Sequence, residues 1–172
     1  MGSHLISRRI EIDAGHRVPD HGSKCRNLHG HRYVIEATCS GPLADAGEQR
    51  GMVLDFGFLK DEMVQVIDRP FDHALVLFVD DPHLPLLFAP TDEWMVDVRM
   101  RVELDGMAEV HCKAHNRLVV LDRIPTAENL AAFWFGELQP RIRVRSGGRA
   151  ELRQIKVWET PNCTATYPAE AA

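Results

Sequence analysis

Residues 25–39 read CRNLHGHRYVIEATC. His31, Tyr33, Ile35, Ala37 and Cys39 share one parity, and Arg32, Glu36 and Thr38 take the other, the two-residue period of a half-buried strand. His29 has the parity of His31, and Cys25 stands four positions before it. The stretch LISRRIEIDAGHRV at 5–18 repeats the pattern, with Ile10, Ile12, Ala14 and His16 on one face and Arg9, Glu11 and Asp13 on the other. Antiparallel pairing of the two apolar faces would bring His16, His29 and His31 together at one end of a sheet. The turn formers of the intervening PDHGSKCRNL predict a loop carrying Cys25.

Working outward, SGPLADAGEQRG at 40–51 is a polar turn region. Asp55 then predicts a helix cap, because Phe56, Leu59, Met63 and Val66 follow at three- and four-residue steps and stop before Pro70. A second helix is expected after Pro125 and Thr126, with Leu130, Phe133, Trp134, Leu138 and Ile142 as its apolar stripe. Between the two helical segments, about residues 80–117 form an insertion. Its RMRVEL, Asp105-Gly106 and MAEVHC read as a surface hairpin around a tight turn. At the end, ELRQIKVWETP places Ile155, Val157 and Glu159 on one face, and CTATYP reads as a short closing strand. The expected order is two strands, a helix, the hairpin insertion, a helix and two strands, an α+β domain spanning residues 1–172.

A chain of 172 residues with 45% hydrophobic content can build a core without disulfide staples. Its formal charge of -5 argues against a nucleic-acid binder. No apolar run approaches the roughly 20 residues that cross a bilayer, so no transmembrane helix is expected. The cysteines at 25, 39, 112 and 163 have no regular spacing and no secretory leader precedes them, so free thiols and a cytoplasmic location are expected.

A catalytic zinc takes three protein donors and leaves a position open, a count that His16, His29 and His31 meet. An H-G-H pair is often a hydrogen-bonded surface feature, and the third histidine on a matching face is what favours a metal. Imidazoles on an apolar face without partners cost free energy that a metal would offset. Cys25 reads three ways: a small buried hydrophobe, a fourth ligand closing the site, or a base or nucleophile whose thiolate Lys24, Arg26 and a nearby dication favour. Asp72 and His73 can shuttle a proton to or from Cys25, or form an ordinary turn. Glu159, at the end of an apolar strand, requires hydrogen-bond donors, either backbone amides or a ligand such as the amino-amide edge of a flat heterocycle. Thr126 and Glu128 also suit a plain helix start. A competing donor cluster, HCKAH, offers His111, Cys112 and His115, although neighbours on a strand face opposite sides.

AGHRV, CRNLHGH, FDHALVL, PTAENLA and VWETP occur here in the order seen in the 6-pyruvoyl-tetrahydropterin synthase / 6-carboxytetrahydropterin synthase family, which the chain resembles over about 5–80 and 117–168. The C-x-x-x-H-G-H spacing resembles the 6-carboxytetrahydropterin branch of the 7-deazaguanine and queuosine pathway; the biopterin-forming branch has a longer gap after its cysteine. The resemblance implies a T-fold: a four-stranded antiparallel sheet with two helices on one face, three subunits closing a barrel, and two trimers forming a homohexamer. It implies conversion of 7,8-dihydroneopterin triphosphate to 6-carboxy-5,6,7,8-tetrahydropterin with release of acetaldehyde and triphosphate. It further implies zinc on His16, His29 and His31, Cys25 as general base with Asp72 and His73 completing the relay, and Glu159 anchoring the pterin. Thr126 and Glu128 would assist Glu159 from a neighbouring subunit. The same machinery in the pyruvoyl branch would eliminate triphosphate without cleaving the side chain, and a non-catalytic zinc-stabilised binding protein would use Cys25 as a ligand. The roughly thirty extra residues between FDHALVL and PTAEN depart from the family's pattern.

Overall fold

The computed structural model describes residues 2–112 and 116–169. Strands β1 (His4–His16) and β2 (His29–Gly41) pair antiparallel along their whole length, with Ile12 opposite Tyr33, Ala14 opposite His31 and His16 opposite His29. The alternation of the sequence sets this register, because a slip of one residue would turn every apolar side chain to the wrong face. Strand β2 also pairs antiparallel with β6 (Glu151–Thr160), and β6 with β7 (Cys163–Tyr167).

The sheet does not stop at four strands. Beyond β1, β3 (Leu75–Phe78) and β5 (Arg117–Leu121) add in parallel, and β4 (Met107–His111) pairs antiparallel with β5. The result is a seven-stranded mixed sheet in the order β4-β5-β3-β1-β2-β6-β7, which corrects the expected four-stranded antiparallel one. Leu118 and Val120 of β5 face one side of the sheet while Val119 and Leu121 face the other, and all four are buried. A strand buried on both faces is a continuous apolar run with no period to read.

Helix α1 (Phe56–Met63) starts at Asp55, whose Oδ1 accepts from the backbone N–H groups of Gly57 at 2.7 Å and Phe58 at 3.2 Å. It continues through wider turns at Val64–Asp68 into α2 (Arg69–Phe71), so it runs through Pro70 and ends just past the expected stop. The segment between the two helical stretches is also more than the expected hairpin. RMRVEL belongs to helix α3 (Asp92–Asp105), not to a strand. The Thr91 hydroxyl caps that helix at Trp94 N, Asp92 and Glu93 lie in its first turn, and Gly106 ends it at φ 73°. Met95, Val98 and Val102 form its buried stripe, so the helical spacing outweighs the short alternation at 99–104. The tight turn at Asp105-Gly106 therefore joins helix to strand, and the hairpin partner of β4 is β5.

Helix α4 (Ala127–Arg145) follows Thr126 as expected, with Leu130, Phe133, Trp134, Leu138 and Ile142 buried. With Leu59, Met63 and Ile67 they pack on Ile12, Tyr33, Ile35, Ala37, Ile155 and Val157 to make the larger core. Each Leu, Ile, Val, Phe or Met among them contributes about 1.5–3 kcal/mol through burial. On the opposite face, α3 and Leu84 cover Leu77, Val110, Leu118 and Val120, a second apolar cluster. Helices thus lie on both faces of the sheet rather than on one.

Candidate metal centre and adjoining cavities

The β1/β2 register carries His16 and His29 side by side and puts His31 one pleat away. One nitrogen from each of the three rings lies within 4.8 Å of the others. His16 Nδ1 is 2.7 Å from the carbonyl of Pro125, and His29 Nδ1 is 2.8 Å from that of Asn27. A carbonyl only accepts, so both Nδ1 atoms carry the hydrogen and both Nε2 atoms present bare lone pairs. Those two Nε2 atoms stand 3.2 Å apart with no hydrogen between them, an arrangement that a shared cation would satisfy. The set therefore fits a metal ion, and three imidazoles suit a borderline-soft one. Burial, the largest cause, lowers the pKa of His16 and His31 below the usual 6.5, with mutual repulsion of neighbouring rings adding to it. Tyr33 lies edge-on beneath His16 and His31; its phenol is held protonated by burial and by the charge of Glu159.

Gly30 is required by contact rather than by backbone angle. A Cβ there would come within 3.0 Å of the carbonyl oxygen of Ala14 across the β1/β2 pair.

A cavity of about 220 Å³ opens beside His16, and Cys25, Thr126, Glu128 and Glu159 all line it. One chain thus supplies the whole group, so Thr126 and Glu128 reach Glu159's cavity without a second subunit. Glu159 Oε1 stands 3.6 Å from His16 Nε2. His21 and Cys163 line the cavity as well. Their sequence signal was slight: His21 lies in the Cys25 loop, and Cys163 follows Glu159 across a turn.

Asp72 and His73 are elsewhere. His73 lines a cavity of about 720 Å³ that it shares with His31, Arg32, Phe88 and Arg117 and whose walls do not include Cys25. The pair is well made: Asp72 Oδ2 takes the His73 Nδ1 hydrogen at 2.8 Å, and its Oδ1 accepts from Asp13 N at 2.9 Å. His73 N donates to Asp13 O at 2.7 Å, which holds His73 at φ 56°, a strained conformation for a side-chain-bearing residue. In the competing cluster, Cys112 is buried in the second apolar cluster and His111 is exposed, while His115 lies outside the described residues.

A buried ion pair escaped the sequence reading. Arg17, 5% exposed, donates to Asp81 Oδ1 at 2.5 Å and, through Nε, to the carbonyl of Arg26 at 2.9 Å. An Arg after His16 and the second of two adjacent Asp residues in a turn gave no hint of each other, being 64 positions apart.

The family described as 6-pyruvoyl tetrahydropterin synthase matches residues 5–170. This chain belongs to that family. It is 36% identical over 157 residues to the 6-carboxy-5,6,7,8-tetrahydropterin synthase of Rickettsia felis, covering 91% of this chain and 94% of that one. It is 30% identical to the enzyme of the same name from Aquifex aeolicus, covering 96% and 98%. Among solved structures, an uncharacterized protein from Wolinella succinogenes superposes with a TM-score of 0.71 at 21% identity, over 96% of this chain and 98% of that one. The 6-pyruvoyl tetrahydropterin synthase of Caenorhabditis elegans gives 0.61 at 22%, over 99% and 98%. At such identities the structures speak for the fold, which is the α+β T-fold of the family. Membership and the named relatives make this protein an enzyme of the pterin synthase type.

Proposed function

We propose that this protein is a zinc-dependent lyase that converts 7,8-dihydroneopterin triphosphate and one water to 6-carboxy-5,6,7,8-tetrahydropterin, acetaldehyde and triphosphate for 7-deazaguanine and queuosine synthesis. The observation that carries it is the cavity where Cys25, Glu159, Thr126 and Glu128 meet His16 of the histidine triad. The names of the relatives at 36% and 30% identity support the carboxy product.

Glu159 anchors the pterin by accepting hydrogen bonds from its ring N–H and 2-amino group, with Thr126 and Glu128 on the adjoining wall. His16, His29 and His31 would hold the zinc, which when bound supplies Lewis-acid polarisation of the substrate's side-chain oxygens. Cys25 withdraws the proton from the side-chain carbon, and its place in the same cavity as Glu159 sets the reach of that transfer. Asp72 orients His73 through the Nδ1 hydrogen, leaving His73 Nε2 free to exchange protons with solvent or substrate. Because that pair stands on a different cavity from Cys25 of its own chain, it serves the Cys25 of a neighbouring chain in the proposed homohexamer.

The test is incubation with 7,8-dihydroneopterin triphosphate. Acetaldehyde equal in amount to triphosphate is the expected result. Triphosphate without acetaldehyde would assign the 6-pyruvoyl product instead, and neither product would leave a zinc-stabilised binding protein.

A further inference from the structure

The loop from Arg17 to Leu28 has little to hold it. Apart from Arg17 its residues are exposed or half-buried, and its one short helical turn, Lys24–Arg26, buries no residue. Several of its hydrogen bonds are internal: Val18 N to Cys25 O at 2.9 Å, Asn27 N to Lys24 O at 3.0 Å and Arg26 N to Ser23 O at 3.2 Å. Segments of this kind open locally at small cost. Yet Cys25 must keep its station within the small cavity beside Glu159.

Arg17 supplies the anchor. Its Nε holds the Arg26 carbonyl, immediately after Cys25, while its Nη1 grips Asp81. Asp81 has no exposed surface, and its Oδ1 also accepts from His83 N at 2.8 Å. It stands between β3 and the buried Leu84, so it is fixed to the second apolar cluster under α3. Asp81 opens the stretch at about 80–117 that the sequence reading takes as an insertion.

We infer that the insertion is a strut for the Cys25 loop, with Asp81 and Arg17 as positioning residues that set the place of the Cys25 sulfur. The inference rests on the proposed role of Cys25 for its effect on turnover, but not for its effect on the loop. The planar fork of Arg17 suits the task, since it binds in two directions at once while staying charged. The ion pair is enclosed, so removing one partner would strand a buried charge and unsettle the fold. Replacing both with apolar side chains of similar volume avoids that and still releases the Arg26 carbonyl.

The double variant Arg17→Met/Asp81→Leu is therefore the test, with Arg17→Lys as the second variant should the first fail to fold. Alkylation by iodoacetamide is followed at each cysteine by peptide mapping, alongside metal content, kcat and KM. The expected result is Cys25 alkylation faster by about threefold or more as the loop opens, with Cys163 on β7 unchanged. The kcat should fall about tenfold or more, with KM within about twofold and metal retained. An unchanged Cys25 alkylation rate would overturn the strut, as would loss of the metal, which would place the pair's effect on the triad instead. Faster alkylation with an undiminished kcat would support the strut and refute Cys25 as the base. A parent protein that yields neither acetaldehyde nor triphosphate would refute the lyase reading, and the alkylation comparison would still decide the strut.

Discussion

In β1 and β2 the buried and exposed positions alternate, and every residue assigned to the metal lies on their buried parity. In β3 and β5 both faces are covered, Val76 and Val119 entering one core while Leu77 and Leu118 enter the other. The two halves of one sheet thus do different work. The antiparallel half holds polar donors at the open end of an apolar face. The added strands β3 and β5, which carry no His, Cys, Asp or Glu, tie a second apolar cluster to the first and give the Cys25 loop something firm to lean on. A strand with one solvated face can present chemistry; a strand enclosed on both can only brace it.

Paired truncations would break or sharpen this contrast. Trp134→Ala in the larger core should cost about 3–5 kcal/mol, and Leu84→Ala in the smaller about 2–5 kcal/mol. Because the strands are continuous, both variants should melt in a single transition in urea. Two transitions would mean that the halves fold independently. Acid should discriminate next. Burial lowers the pKa values of His16 and His31, so these two rings take up protons less readily than free imidazoles, which delays proton competition for a bound metal as pH falls. The metal-free protein should lose stability as pH falls below 6.5, since the unfolded chain takes up those protons first. Equilibrium melts and metal retention measured from pH 7.5 downward, at about half-unit steps, would check both signs.

A smaller effect concerns the thiols. Cys39, in the larger core, is pushed up to about 12 by burial, whereas Cys163 is exposed on β7. A thiol reagent at neutral pH should label Cys163 and leave Cys39 untouched until the protein unfolds. Least of all should come from Arg99→Ala, which breaks an exposed pair with Asp80 on the added half. Its cost should be about 0–1 kcal/mol in a denaturant melt.

Where a physical period exists, the chain was readable. Alternation at 5–18 and 31–39 gave the register that brings His16 to His29, and the Asp55 and Thr126 caps gave two helix starts. Glu159 and Thr126, 33 residues apart, were legible as a heterocycle anchor and a helix start, yet their shared cavity depends on α4 packing against β6 and β7. The misses have causes of the same kind. LVVL at 118–121 has no period because both its faces are buried. RMRVEL alternates over six residues inside a helix whose true signals, Thr91 and Gly106, lie outside that window. The Arg17–Asp81 pair is a tertiary fact, created when β3 docks parallel to β1.

The central claim is that three imidazoles hold a metal which Cys25 approaches without binding. Elemental analysis of purified Cys25→Ala, beside the parent and His29→Ala, tests it most directly. The account expects about one zinc per chain in the parent and in folded, inactive Cys25→Ala, and loss of zinc in His29→Ala. A Cys25→Ala protein that sheds its metal and melts early would make the sulfur a fourth ligand, and the lyase account would be contradicted.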